Sequence, residues 1–359
     1  MKVGIVGLPN AGKSSLFQAL TRAQAEVANY PFTTIEPNVA VVPVADERLD
    51  QVAAVVGASE ILPDTIMFHD IAGLVRGAHE GEGLGNQFLS HIRETDAIVH
   101  VVRAHFDDRV VHPDGRVDPA ADAEVVETEL LFADLEQAER RLERVEKQAR
   151  GGDKIARAEE AWLREVIAAL RAGHPVRSVP APADAPIALR QLSPLTSKPV
   201  VLVANVDEGV TEVPPELAAH AAAIGAGAVA VSARLEGELA ALDPDEAEAM
   251  RGELGAGEPG LDRVVDGAFR LLDQIVFFTA DPGRPAQSRH LRRGRSAWEA
   301  AGLIHTDMQR GFVRAEVIAW DDLVAAGGYA AARERGTLRI EGRDYVVADG
   351  DVVHIRFTR

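Results

Sequence analysis

The feature that most constrains this chain lies near its start. The apolar run Met1-Lys2-Val3-Gly4-Ile5-Val6 leads into Gly7-Leu8-Pro9-Asn10-Ala11-Gly12-Lys13-Ser14-Ser15, and Leu16, Phe17, Ala19 and Leu20 follow at helical spacing. Strand, G-x-x-x-x-G-K-S and helix in that order read as a phosphate-binding loop and commit the chain to a βα fold around it. The glycines let the backbone curl until successive N–H groups, from Asn10 and Ala11 through Gly12 to Ser15, face one anion. The helix that begins near Lys13 adds the positive end of its dipole. Lys13 sets a full charge against the β- and γ-phosphates, and the Ser14 hydroxyl is a ligand for Mg²⁺. Only five of the 38 basic residues are lysines, so a Lys here, where Arg is the rule, points to chemistry.

A chain of 359 residues has room for two or three domains with real cores. An apolar fraction of 47 % and a charged fraction of 26 % fit a water-soluble globular protein. There is no cysteine, so disulfides, thiolate metal sites and thiol redox control are excluded. No apolar run approaches the roughly 20 residues that span a bilayer, and the N-terminal residues read as a core strand rather than a signal peptide. A cytoplasmic, membrane-free protein is expected. The net charge of −18 argues against nucleic-acid binding over the whole surface, so any RNA contact needs a local basic patch.

Short β-branched runs alternate with helical patterns through the first 275 residues, which predicts an α/β domain with a mixed, mostly parallel sheet. Strands are expected at Val3–Val6, Val39–Val44, Thr65–His69, Ala97–Val102, Pro199–Asn205 and Ala228–Ser232. Between about 120 and 190 the pattern changes. Leu131, Leu135, Ala138, Leu142 and Val145 form an apolar seam of coiled-coil period. Gly151-Gly152-Asp153 breaks it, and Ile155, Ala158, Trp162, Val166 and Ala169 continue on a second helix. An antiparallel helical hairpin inserted into the α/β domain is predicted, with the proline-rich segment 174–198 as the connector back to the sheet. Residues 276–359 read as a separate small α+β domain. Its expected strands are Gln274–Ala280, Phe312–Ala319, Thr337–Glu341, Tyr345–Val347 and Val352–Phe357, with helices at Ser296–Leu303 and Trp320–Arg333. It carries no catalytic constellation, which points to a binding role.

Three further pieces belong to the nucleotide site. Asp70-Ile71-Ala72-Gly73 follows a strand, and D-x-x-G at this distance from a phosphate loop is a switch motif. Its Asp holds Mg²⁺, usually through water, and the Gly73 N–H senses a γ-phosphate. Thr34, in Asn29–Asn38, is the candidate second hydroxyl ligand of Mg²⁺. Residues 73–85 carry Gly73, Gly77, Gly81, Gly83 and Gly85, as a loop that orders around a triphosphate would. Base recognition falls to Asn205-Val206-Asp207-Glu208, where GTPases place N-K-x-D. Val stands for the ring-covering Lys, and Glu for the Asp that accepts from guanine. One extra methylene moves that carboxylate, and a hydrogen-bonding site with displaced geometry loses discrimination. Asn205 and the backbone at Val206 can serve the 6-amino group of adenine instead. Ser232-Ala233-Arg234 resembles the S-A-K loop that closes over a base.

Taken together, GLPNAGKSS (7–15), NYPFTTIEPN (29–38), DIAGLVRGAHEGEGLGNQFLSHI (70–92), NVDE (205–208), AAGLIHTDMQRGFVRAEVIAWDDL (300–323) and EGRDYVVADGDVVHIRF (341–357) resemble the Obg-like ATPases, the YchF subfamily of P-loop GTPase-like proteins. The resemblance spans nearly the whole chain. It implies a P-loop NTPase G domain (1–275) interrupted by the helical hairpin, then a ubiquitin-like TGS domain (276–359). It also implies ATP preferred over GTP, Mg²⁺-dependent hydrolysis and association with ribosomes. Ala11 and Ser15 replace the usual Val and Thr without touching the chemistry. Asp281–Arg295 departs from the family pattern.

Leu74 stands where Ras-like enzymes place the Gln that orients water, and Leu cannot hold a water by hydrogen bonding. Three substitutes are open: a K⁺ ion held by Asn10, as in cation-activated relatives; His112, which matches a His of the family; or completion of the site by a partner. A slow, monomeric ATPase switch is therefore expected, with Lys13 and Gly73 at the transferred phosphate. An Obg-type GTPase and a nucleotide-gated ribosome- or RNA-binding protein are the alternatives. Arg284, Arg289, His290, Arg292, Arg293 and Arg295 cluster as phosphate contacts would, or as a solvated Arg-rich loop; Arg292, Arg293 and Arg295 are the candidate RNA contacts.

Overall fold

The computed structural model describes residues 1–26, 38–71, 84–106 and 117–358. In chain order its strands are β1 (Lys2–Val6), β2 (Val39–Pro43), β3 (Ile61–Leu62), β4 (Thr65–Asp70), β5 (Ala97–Arg103), β6 (Val200–Asn205), β7 (Gly227–Val231), β8 (Gln274–Thr279), β9 (Ala286–Arg292), β10 (Phe312–Ala319), β11 (Arg339–Glu341) and β12 (Asp351–Phe357). They form two six-stranded sheets in two compact units, Met1–Val42 with Met67–Leu271, and Pro43–Ile66 with Leu272–Arg359.

The first unit holds the sheet β2-β4-β1-β5-β6-β7. β1 runs parallel to β4 and β5, β5 to β6, and β6 to β7. All seven residues of β5 are buried, as expected of a central strand covered on both faces. Parallel strands end on the same side, so the loops after β1, β4, β5, β6 and β7 gather at one edge of the sheet.

The inserted hairpin is Pro119–Arg150 packed on Lys154–Arg171. Asp118 caps the first helix by accepting from the Ala121 N–H, and Pro119 occupies a position where no N–H is needed. Gly152 turns the chain at φ 91°, and Asp153 caps the second helix through the Ile155 and Ala156 N–H groups. The seam closes on Ala138, Val145, Trp162, Leu163 and Val166, all buried, with Leu131, Leu135 and Leu142 half-buried against them. At the root, Asp134 is 1 % exposed and accepts from Leu195 N (2.8 Å), Thr196 N (2.7 Å) and Thr196 Oγ1 (2.7 Å). That carboxylate fixes the first helix to the chain entering β6. No helix among the described residues is long and apolar enough to cross a membrane.

The second unit holds the sheet β11-β10-β12-β8-β9-β3. β10 pairs antiparallel with β11 and β12, β12 runs parallel to β8, and β9 pairs antiparallel with β8 and parallel with β3. Its core is Ile275, Phe277, Leu291, Val317, Val353 and Ile355 against the helix Ala297–Ile304, which opens on a capping box of Ser296 and Glu299. Segment 43–66, assigned from sequence to the first domain, forms its hydrogen bonds here: Ser59 N to Arg284 O (3.0 Å), Ala286 N to Glu60 O (2.8 Å) and Gly283 N to Gly57 O (3.0 Å). Arg48 bonds Asp46 and Asp349 and lies 5.6 Å from the centre of the Phe278 ring.

Three local expectations change. Much of the Arg-rich stretch is not a loop but strand β9. Tyr345–Val347 is not a strand: Val346 makes a single bridge to Ser296. Trp320–Arg333 is two helices, Trp320–Ala326 and Tyr329–Arg335, because Gly327 at φ 80° ends the first.

Candidate nucleotide site

The loop after β1 folds as a cradle. Gly7 (φ 152°) and Gly12 (φ 101°) take backbone angles that other residues avoid. A β-carbon on Gly7 would overlap the Val101 carbonyl oxygen, and one on Gly12 would overlap the Asn205 amide nitrogen. Asn10 also sits in the left-handed region, at φ 62°. Lys13 and Ser14 then open the helix Lys13–Glu26, with both Ser14 and Ser15 exposed. Lys13 is 8 % exposed and its Nζ donates to Leu8 O at 2.8 Å. Burial lowers its pKa, against the opposing pull of the Asp70 carboxylate. Burial likewise raises the Asp70 carboxyl, and the Lys13 charge works against the rise. A buried cation and a half-buried carboxylate at one sheet edge suit a ligand that supplies its own charges.

The cradle opens into a cleft of about 960 Å³. At one end it is lined by Asn10, Gly12, Lys13, Ser14 and Ser15; at the other by Asn205, Val206, Asp207, Glu208, Ser232 and Arg234, with His105 and Phe106 also on the wall. Ala11 and Ala233 are buried behind this surface, and Asn205 joins them. Its Nδ2 donates to Ala11 O at 3.1 Å and its Oδ1 accepts from Ala233 N at 3.1 Å. The side chain expected from sequence to meet a base is therefore committed to the two loops on either side. Ser232 caps the helix Ala233–Leu239 by accepting from Leu235 N. Glu208 is paired with Arg234, whose Nε lies 2.6 Å from its carboxylate. Val206 is 4 % exposed.

Asp70 does not line this cleft; it borders a separate hollow of about 210 Å³ with Lys2, Asn38, His69, His91 and Glu94. Thr34, Gly73, Leu74 and His112 lie outside the described residues. Among the described residues no group of three His, Asp or Glu side chains is placed to hold a metal.

Sequence reasoning missed His105 and Phe106. Both follow β5 at the strand edge where the other loops gather, and that position was the available signal. His105 is fixed by its ring Nδ1, 3.0 Å from Asn205 O, while Phe106 is 79 % exposed.

The candidate RNA contacts lie in the second unit. Arg292 is exposed at the end of β9, Arg293 pairs with Asp273 at 3.2 Å and Arg295 with Glu299 at 2.7 Å. Within the strand Arg289 donates to Gln287 Oε1, and His290 stands 2.9 Å from Asp64. Acidic partners thus meet Arg293, Arg295 and His290, which reduces the local excess of positive charge.

Comparison with known proteins agrees with this architecture. Residues 2–137 match the family model MMR_HSR1, described as "50S ribosome-binding GTPase", and residues 274–358 match YchF-GTPase_C, described as "Protein of unknown function (DUF933)". The chain is 47 % identical over 359 residues to the ribosome-binding ATPase YchF of Escherichia coli O157:H7, with 99 % of each chain covered. It is 45 % identical over 363 residues to the protein of the same name from Bacillus subtilis strain 168, again with 99 % of each covered. Among solved structures, the Schizosaccharomyces pombe YchF GTPase superposes with a TM-score of 0.88 at 33 % identity, over 99 % of this chain and 97 % of that one. Identity at this level along the full length, on a matching fold with the phosphate loop in place, settles the family: the chain belongs to the YchF subfamily of Obg-like P-loop GTPase-like proteins.

Proposed function

We propose that this protein is a cytoplasmic, ribosome-associated ATPase switch that binds ATP with Mg²⁺ and hydrolyses it slowly. The observation that carries the reading is the cleft itself, with Lys13 at one end and Asn205–Glu208 at the other. The relatives named ribosome-binding ATPase support both the nucleotide and the partner.

Preference for ATP follows from the base end. Val206 is buried and offers no cationic stem to cover a ring, and Glu208 is engaged by Arg234. Phe106, exposed in the cleft, supplies an apolar face on which adenine can stack. The backbone at Val206 remains the candidate partner for the 6-amino group, with Asn205, Ser232 and Ala233 shaping that end.

The residues fit Mg²⁺. Ser14 presents a hydroxyl on the exposed first turn beside Lys13, and Asp70 keeps a carboxylate within the electrostatic reach of Lys13. Such a donor set suits an ion that keeps several waters and takes its remaining ligands from phosphates. When bound, Mg²⁺ offsets charge on the β- and γ-phosphates. Thr34 is assigned the second hydroxyl and Gly73 the γ-phosphate contact, both from sequence. Lys13 holds the triphosphate by charge, and leaving Leu8 O for a phosphate oxygen exchanges a neutral acceptor for an anionic one.

With Leu74 unable to orient water, the nucleophile needs help from K⁺ at Asn10, from His112 or from the ribosome. Hydrolysis of ATP and GTP, each in K⁺ and in Na⁺, with and without ribosomes, tests the proposal. Wild type is expected to prefer ATP and to accelerate with K⁺ or ribosomes, and K13A to lose binding. Tight GTP binding with weak ATP binding would favour the Obg-type GTPase instead. Full cellular function of a variant that binds ATP but cannot hydrolyse it would favour a nucleotide-gated binding protein. A monomer is expected, with RNA contact through Arg292, Arg293 and Arg295 as its optional second surface. Unchanged ribosome co-sedimentation after joint replacement of those three would remove that surface.

A further inference from the structure

We propose that Arg234, held by Glu208, makes the base end of the cleft select against guanine. This rests on the reading that the cleft prefers ATP. Arg234 is the second residue of the helix Ala233–Leu239, which follows β7, while Glu208 lies in the loop that follows β6. Parallel neighbours β6 and β7 bring the two loops together, and the Ala233 N–H to Asn205 Oδ1 bond fixes their spacing. Arg234 Nε donates to Glu208 Oε1 at 2.6 Å, and its Nη2 contacts the same oxygen. The next acid, Glu238, is 3.8 Å from that Nε. Both Arg234 and Glu208 line the cleft, with the Arg234 side chain 67 % exposed and the Glu208 side chain 33 % exposed.

The pair changes what the carboxylate can do. Guanine presents the N1–H and 2-amino donors to the acidic residue of an N-K-x-D loop, and a carboxylate in that loop would ordinarily accept from them. Here Oε1 already accepts both guanidinium contacts, which ties the carboxylate to Arg234 and leaves only Oε2 for the two guanine donors, where an unpaired carboxylate offers both oxygens. Adenine carries neither donor on that edge and leaves the pair intact. Arg234 also restores what Val206 lacks. A planar guanidinium covers an aromatic ring as a lysine stem does, and Glu208 holds it across the two loops. In this arrangement the Glu that replaces Asp is an anchor for Arg234, not a contact to the base.

The test is calorimetric titration of the full chain with Mg-ATP and Mg-GTP, on wild type, R234A and R234K, with thermal melting to confirm folding. R234A frees the Glu208 carboxylate and removes the cover over adenine. ATP binding should weaken, GTP binding should strengthen, and the ATP-to-GTP affinity ratio should shrink about tenfold. R234K keeps a cation beside Glu208 and should stay closer to wild type. R234Q, which keeps a stem without the charge, gives the same readout if R234A does not fold. An unchanged ratio, whether both affinities hold or fall together, overturns the proposal. A wild-type chain that binds GTP more tightly than ATP overturns the underlying ATP reading, and that result is visible before any variant is made.

Discussion

The Asn205 side chain is bonded at both ends, from Nδ2 to Ala11 O and from Ala233 N to Oδ1, each at 3.1 Å. It is 6 % exposed, so both partners are sheltered from water. One amide thereby sets the separation between the phosphate loop and the loop after β7, and with it the length of the cleft. N205A leaves a buried carbonyl and a buried N–H without partners. A loss of about 2–4 kcal/mol in stability is expected, at about 1–2 kcal/mol per orphaned group. Nucleotide affinity should fall with it. Urea denaturation and titration calorimetry on the same preparation check both, and N205A with wild-type affinity would show that the clamp does not set the cleft.

Two left-handed glycines should respond differently to the same substitution. Gly12→Ala forces φ 101° on a residue with a side chain and drives its β-carbon into the Asn205 amide. Gly152→Ala, at φ 91° in the hairpin turn, meets nothing within 4 Å. G152A should cost only the backbone strain, about 1–2 kcal/mol. G12A should cost more and abolish nucleotide binding, measured by thermal shift with and without Mg-ATP.

Acid sensitivity should trace in part to His100. It is buried on β5, and burial together with the charges of Lys13 and His220 pushes its pKa down to about 3. The unfolded chain takes up that proton near pH 6.5 and the folded chain does not until about 3. The unfolded state therefore binds more protons in this window. The stability at stake is present above pH 6.5 and is lost as pH falls towards 3. Between pH 7 and 5 the share of His100 is about 2 kcal/mol. H100Q, which cannot charge, should flatten the decline of urea midpoints over that range. An equal slope in wild type and H100Q would assign the sensitivity elsewhere.

Asp134 is the fourth test, aimed at the hairpin. Its carboxylate takes three hydrogen bonds from Leu195 and Thr196 while 1 % exposed, and D134A leaves those donors in a dry site. About 3–5 kcal/mol of destabilisation is expected. Hydrogen exchange should show the loss first at Pro119–Arg150 and at the entry to β6. Uniform loss across the first unit would contradict a local anchoring role.

Features written in short-range pattern were legible in the sequence, and features made by distant partners were not. The phosphate loop announces itself because strand, glycines, Lys13 and helix are contiguous. The hairpin shows in the spacing from Leu131 to Val145. Strand β3 did not show, since it is two residues long and pairs with Ala286 and Gln287 more than 200 positions away. Strand β9 was hidden by its composition, because Arg289 and His290 look solvated until Gln287 and Asp64 are seen beside them. In the cleft, the residue types of Asn205 and Glu208 were readable but their attachments were not. Ala11, Ala233 and Arg234 reach them only through the order of strands in the sheet, which also delivers Phe106.

The most direct test of the central claim is steady-state hydrolysis of Mg-ATP and Mg-GTP by the full chain in K⁺ buffer with ribosomes. A higher kcat/KM for ATP, falling when ribosomes or K⁺ are withheld and abolished in K13A, is the predicted result. A higher kcat/KM for GTP, or ATP turnover that survives K13A, would contradict it.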